Sequence, residues 1–283
     1  MHIVCPSGLS GDVRGLTVRE LQLLADQSLA RGGRNIDVML GMMEKVVDPG
    51  PYKFAAGSKP KWDNVLLGDR FSALVDIRVA TWGAEYWFPV RCADCREGFE
   101  WELDLRDLPR KPFPKETLDQ LAEGANRFVT EGPNGEEVGF KLLYGSDEKS
   151  ADSYRRRTGS TWGLGDVLAQ RILSVNGKGS QGDPKIREWI MELGALAAVE
   201  LGKRMDEADG GVETEIEVVC TKCGWQQWIQ LPFDKAFYAP SRKRATNATT
   251  KTEEPKTKGT MEGRELSAET TPTGSSSPMK KTA

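Results

Sequence analysis

Glu85-Tyr-Trp-Phe-Pro-Val-Arg91, Cys92-Ala-Asp-Cys95 and Phe99-Glu-Trp-Glu-Leu-Asp-Leu105 follow one another almost without a gap, and their reading decides the fold. The first run is rich in aromatic and branched residues, and the last alternates with period two; both read as strands. The turn between them is a CxxC. A two-residue spacer lets both sulfurs point to one side of a tight turn, at the separation a tetrahedral cation requires.

The same arrangement recurs near the other end of the chain. Glu213–Val219 and Gln227–Leu231 read as a second hairpin, tipped by Cys220-Thr-Lys-Cys223. Two such knuckles facing each other would hold one ion on Cys92, Cys95, Cys220 and Cys223, with Zn–S distances of about 2.3 Å. Softness and geometry favour a structural Zn2+, with iron in a rubredoxin-like site as the rival. A redox CxxC normally opens a helix, and here both pairs run into strand-like sequence. Structural disulfides are disfavoured because no secretory signal is read at the N-terminus, so the chain is expected to begin in a cytoplasm. Pairs that have lost their metal remain the bland alternative. The pairs lie about 120 residues apart, far beyond the spacing of roughly 15 to 20 in a local ribbon, so tertiary structure must close the site.

The fifth cysteine, Cys5, reads as an ordinary thiol, and His2 is the only histidine in the chain. That nearly removes histidine from catalysis and from the metal. No phosphate-binding GxxxxGK[ST] or GxGxxG loop occurs; Ser7–Gly11 and Gly177–Gly182 read as plain loops. Asp147, Glu148 and Asp152 read as a solvated helix face that offers partners to Arg155–Arg157. Trp82, Trp87, Trp101, Trp225 and Trp228 surround the knuckles. Core packing is the favoured reading for them, with a protein-binding surface as the alternative.

Working outward, residues 1–15 read as an irregular glycine-rich arm. Thr17 and Glu20 form a capping box that opens a helix ended by Gly32-Gly33. A second helix is expected from an Asn35 cap through Val47, and a third over Asp63–Ala80. Residues 109–125 resist placement. Asn126–Thr130 and Glu137–Leu143 read as a hairpin, residues 147–157 as helical, and Gly165–Val175 and Pro184–Met205 as two further helices. The whole is α+β: helices packed around two CxxC-tipped β-hairpins that share a zinc-ribbon-like four-cysteine site. Residues 16–240 are taken as one metal-centred domain. Residues 241–283 are a polar tail with almost nothing to build a core, expected to be disordered. The net charge of -3 favours neither nucleic acid nor a membrane surface, and no apolar run reaches the length a bilayer requires.

Several segments carry a family likeness. Cys5-Pro-Ser-Gly-Leu9 with Val13-Arg-Gly-Leu-Thr-Val-Arg-Glu20 resembles an opening of the form LPS-G followed by VRPLTVRE. Leu66-Leu-Gly-Asp-Arg-Phe71 is similar to an L-x-GDR helix. Trp82-Gly83, Glu85-Tyr86 and Phe88-Pro-Val-Arg-Cys92 resemble a YG-x-EY strand running into a CxxC. Cys220 to Gly224 and Leu231-Pro-Phe-Asp-Lys-Ala-Phe-Tyr238 resemble the closing segment. In this order they resemble the T4-type phage baseplate hub proteins of contractile-tailed phages. The likeness covers roughly residues 5–240, poorly over 105–160; Cys5 stands where the pattern is usually apolar, and the tail lies outside it. The resemblance implies a non-enzymatic protein of baseplate hub and tail assembly. Its partners would be other hub or tail proteins. It would work in the host cytoplasm during assembly, or stay in the virion tail baseplate. The alternative is a zinc-ribbon nucleic-acid-binding accessory protein, for which Arg242-Lys-Arg244 and Arg155–Arg157 supply local charge.

Overall fold

The Leu67–Trp82 helix is the pillar of the molecule. Apolar residues occur on every side of it, the pattern of a helix surrounded by protein. Its Ala73, Leu74 and Ile77 enter one core cluster with Ile3, Leu9, Met39 and Val65. Its Val75 enters another with Tyr86, Phe88, Val218 and Phe237. Leu66, just before its first turn, enters a third with Phe140, Leu142, Ile172 and Leu201. The helix stops at Gly83, whose positive φ of 85° turns the chain into the first CxxC hairpin.

The computed structural model describes residues 1–25, 34–159, 163–233 and 237–238. Strands β1 (His2–Val4), β2 (Ser10–Val13) and β3 (Met43–Asp48) form an antiparallel sheet. Strands β4 (Glu85–Arg91) and β5 (Gly98–Asp104) make the first knuckle hairpin. β6 (Arg110–Lys111) pairs much later with β10 (Gly211–Val212). β7 (Phe128–Glu131), β8 (Glu137–Phe140) and β9 (Ile172–Val175) form a second antiparallel sheet. β11 (Glu215–Val219) and β12 (Gln226–Gln230) make the second knuckle hairpin. Further helices span Val18–Ala25, Arg34–Leu40, Lys115–Glu123, Gly145–Thr158, Leu164–Arg171, Pro184–Glu192 and Ala195–Asp206. The fold is thus mixed helix and antiparallel sheet. Among the described residues, no helix is long and apolar enough to cross a membrane.

Several expectations need correction. Residues 1–15 are not an irregular arm, since β1 and β2 lie within them and Ile3, Cys5 and Leu9 are buried. The helix expected through Val47 ends at Leu40, and Asn35 lies inside it rather than capping it. Met43–Asp48 is instead a strand whose buried residues, Met43 and Val46, are three apart because the β2–β3 register shifts twice. That spacing imitates a helix. Gly165–Val175 likewise divides into helix and β9. Pro184–Met205 divides at Leu193-Gly194. Residues 109–125 hold β6 and the Lys115–Glu123 helix. The tail at 241–283 and Gly32-Gly33 lie outside the described residues.

The capping box forms as read: Thr17 N–H and hydroxyl donate to Glu20, at 2.7 and 2.8 Å, and Arg14 holds the same carboxylate from the other side. The Leu66–Phe71 segment explains why the pillar sits where it does. Gly68 lies so close to Gly210 that a side chain there would overlap the Gly210 carbonyl. Asp69 is buried and accepts the Ser7 N–H at 3.0 Å, the Tyr52 hydroxyl at 2.6 Å and the Ser7 hydroxyl. Arg70 donates to the Trp62 carbonyl at 2.8 Å and pairs with Glu148 at 3.0 Å.

Candidate metal centre

The two knuckles are built alike from the backbone upward. In each, the first cysteine closes the turn by donating its N–H to the carbonyl five residues on: Cys92 to Glu97 and Cys220 to Trp225, both at 2.9 Å. In each, the residue after the second cysteine takes a left-handed backbone, Arg96 at φ 64° and Gly224 at φ 75°. These turns bring both sulfurs of a CxxC to one side. Below them, Tyr86, Phe88 and Val90 of β4 and Ile216 and Val218 of β11 point into one shared apolar cluster. The hairpins are therefore held by their inner faces while their tips meet.

At the meeting point Cys92 Sγ lies 3.6 Å from Cys223 Sγ, and Cys95 Sγ lies 3.7 Å from Cys220 Sγ. All four sulfurs are within 4.8 Å of one another. A tetrahedron with metal–sulfur bonds of about 2.3 Å has edges of about 3.8 Å, so the spacing fits an ion and exceeds a disulfide bond of about 2.05 Å. Cys92 and Cys220 are buried, whereas Cys95 and Cys223 face solvent. The chain thus brings together all four cysteines expected as ligands, across 125 and 131 residues.

The electrostatics favour a cation in the same place. The backbone N–H groups of Cys223 and Lys222 hold the Cys220 thiol down at about 7. The Trp225 N–H pulls in the same direction on Cys223, but desolvation and the adjoining thiols Cys95, Cys220 and Cys92 outweigh it and push that group up to about 12. Cys95 is also raised: the Glu97 N–H lowers it, and desolvation with Cys92 and Cys220 outweighs that. Four thiols at this range resist carrying four negative charges. A bound cation supplies the missing counter-charge and would drive their deprotonation.

Polar links lock the two tips together, and none was visible from motif spacing. Gln227 on β12 accepts the Ala93 N–H at 2.7 Å and donates to the Arg91 carbonyl at 3.1 Å. Lys222 forms an ion pair with Glu97. At the base of the first hairpin, the fully buried Arg78 donates to the carbonyls of Gly83, at 2.7 Å, and Glu85, at 3.1 Å. Its ring partner is Tyr86, whose hydroxyl donates to the Pro232 carbonyl at 2.9 Å. A sequence signal for Gln227 exists only in hindsight: it is a polar residue at an inward position of an alternating strand.

Other sequence readings divide. Among the described residues, the four cysteines are the one convergent group of three or more metal-ligating side chains. Cys5 stands apart, buried in the β1–β2 turn, with its thiol pushed up by burial and then by Asp69. His2 sits at an exposed position beside Asp12. Asp147 and Glu148 are not a solvated face: Asp147 accepts Lys141 at 2.6 Å, and Glu148 serves the buried Arg70. Asp152 does pair with Arg155. Of the knuckle tryptophans, Trp101 packs edge-on against Phe99 and supports the core. Trp225 and Trp228 do not; they are 51% and 64% exposed. Among the described tryptophans the buried one is Trp62, which donates its ring N–H to the Leu40 carbonyl at 2.8 Å.

No protein-family model, no curated protein and no solved structure matches the chain.

Proposed function

We propose that this chain is a non-enzymatic phage protein that acts in baseplate hub and tail assembly through protein–protein contacts. In this reading a structural zinc ion on Cys92, Cys95, Cys220 and Cys223 stiffens it. The observation that carries the reading is the convergence of four thiols from two distant hairpins. Four thiolates fill a tetrahedral shell and leave no position for water or substrate, which is the chemistry of a staple rather than of a hydrolytic centre. Zinc suits the site because it takes four sulfur ligands without a redox change. The ordered likeness of the Cys5–Leu9, Leu66–Phe71, Glu85–Cys92 and Cys220–Tyr238 segments to the baseplate hub proteins supplies the assembly role. Exposed Trp225 and Trp228 agree with a protein that works by contact.

The test joins metal analysis to assembly. Purified full-length chain should carry about one zinc per chain, and tagged chain should co-sediment with tail baseplate intermediates from infected cells. A chain that stays unassembled while the other hub and tail components sediment together would overturn the role. Tight DNA binding with a steep salt dependence would instead favour the nucleic-acid-binding zinc ribbon. Iron in place of zinc would keep the four-cysteine centre and change its metal.

A further inference from the structure

The second knuckle hairpin is a two-stranded sheet with one face packed on the core and one face bare. Ile216 and Val218 point inward; Glu215, Glu217 and Val219 of β11 and Gln226, Trp228 and Gln230 of β12 point outward. The register sets Glu217 directly opposite Trp228. Side chains paired in this way stand roughly 5 Å apart at Cβ. Trp228 is 64% exposed, and Trp225 at the tip is 51% exposed. Neither Glu215 nor Glu217 has an ion-pair partner among the described residues. The nearest cation in sequence, Lys222, is engaged by Glu97 of the other knuckle. The outward positions thus hold two carboxylates and no positive side chain.

We infer that this outward face docks an arginine-bearing basic protein segment. The indole of Trp228 offers a flat negative π-face, and the Glu217 carboxylate lies next to it. An arginine guanidinium can stack on the first while its N–H fork donates to the second, and a lysine ammonium matches only part of that geometry. The charge also excludes alternatives: a nucleic-acid strand that stacked on Trp228 would bring its phosphates against Glu215 and Glu217. The outward face of the first hairpin is also net acidic, with Glu85, Glu100, Glu102 and Asp104 around Trp87, although Arg91 shares that face and Arg106 pairs with Asp104. The inference deepens the assembly reading and rests on it for the claim that the chain works by contact; it names the class of partner.

The probes are three dye-labelled peptides in which arginine, lysine or glutamate alternates with glycine. Their binding to zinc-loaded full-length chain is followed by fluorescence anisotropy at low and high salt. The arginine peptide should bind most tightly, weaken with salt, and lose about tenfold in affinity with either Trp228→Ala or Glu217→Gln. Both side chains are exposed, so the variants should keep wild-type circular dichroism and zinc content. Leu196→Ala, at an exposed helical position, should bind as wild type does. Arginine-peptide affinity unchanged in both hairpin variants, or no binding by any basic peptide, would overturn the inference. Oligonucleotide binding that disappears with Trp228→Ala would overturn it as well. If the peptide fails while the chain still co-sediments with baseplates, the partner class falls and the assembly role stands; the reverse result separates them the other way.

Discussion

Arg96 and Gly224 occupy the same place in their two knuckles, one residue after the second cysteine, and both hold a left-handed backbone. Glycine adopts that conformation freely, whereas a residue with a Cβ pays about 1 kcal/mol or more for it. The first knuckle is therefore the strained one. Arg96→Gly should raise the stability of the metal-loaded protein by about 0.5 kcal/mol, after the entropy glycine adds to the unfolded chain. Gly224→Ala should lower it by about 1 kcal/mol. Thermal unfolding of the two variants reads both signs, and a destabilised Arg96→Gly would contradict the account.

Removing the ion should cost far more. Structural zinc sites bind with free energies on the order of 10 kcal/mol, and under the proposed zinc staple that energy would tie two hairpins to one core. Cys92→Ser should lose the bound metal and unfold at markedly lower temperature, as should wild type treated with a strong chelator. Cys5→Ala should retain full metal content, because Cys5 belongs to a different cluster. Elemental analysis of the two variants distinguishes ligand from bystander.

Gly68 is predicted to tolerate nothing larger. An alanine there would place its Cβ on the Gly210 carbonyl, and neither backbone can yield without moving the pillar helix or the β6–β10 pair. Gly68→Ala should cost about 3 kcal/mol, measured by urea unfolding. Gly57→Ala is the control for crowding, since nothing lies within 4 Å of a side chain there and only its positive φ of 77° resists substitution. Its cost should stay near 1 kcal/mol.

The capping box gives an acid-sensitive contribution. The Arg14 guanidinium, helped by Thr17, holds the Glu20 carboxyl at about 2, below its ordinary value of 4.5. A carboxylate lowered on folding stabilises the folded state above its unfolded pKa and loses that effect as the pH falls through the folded one. The contribution should thus be complete above pH 4.5 and fade towards pH 2. Glu20→Gln should flatten that part of the stability profile while costing below about 1 kcal/mol at neutral pH, because the pair is partly solvated. Chemical unfolding at a series of pH values compares the two slopes.

What the sequence made legible was local chemistry with a fixed spacing. The CxxC pairs, the strand-like runs on either side of each, with clean alternation in β5, and the Thr17–Glu20 box each state their geometry within a few residues. What stayed hidden was decided by distant partners. β1 and β2 are short, β2 contains a glycine, and they become strands through each other and through Met43–Asp48, which pairs with β2. Met43 and Val46 imitate a helix because a bulged strand repeats near three residues. Trp225 and Trp228 were expected inside because tryptophan is apolar, but the register of β12 turns Trp228 outward and gives the inward place to Gln227. No pattern within the hairpin reveals that Gln227 has backbone partners on the other knuckle.

The distance along the chain between facing cysteines, 125 and 131 residues, has a consequence for how the molecule is made. A nascent chain that has released Cys92 and Cys95 from the ribosome owns half a coordination shell and must wait for most of the remaining sequence before it can complete it. Closing a loop of that length costs about 4 to 5 kcal/mol of chain entropy, which only a nearly finished core can offset. In the proposed zinc-bound form, capture of the ion is then a final quality check on synthesis. A product truncated at Val219 should hold the ion no more firmly than an isolated CxxC turn, however well its earlier helices have formed.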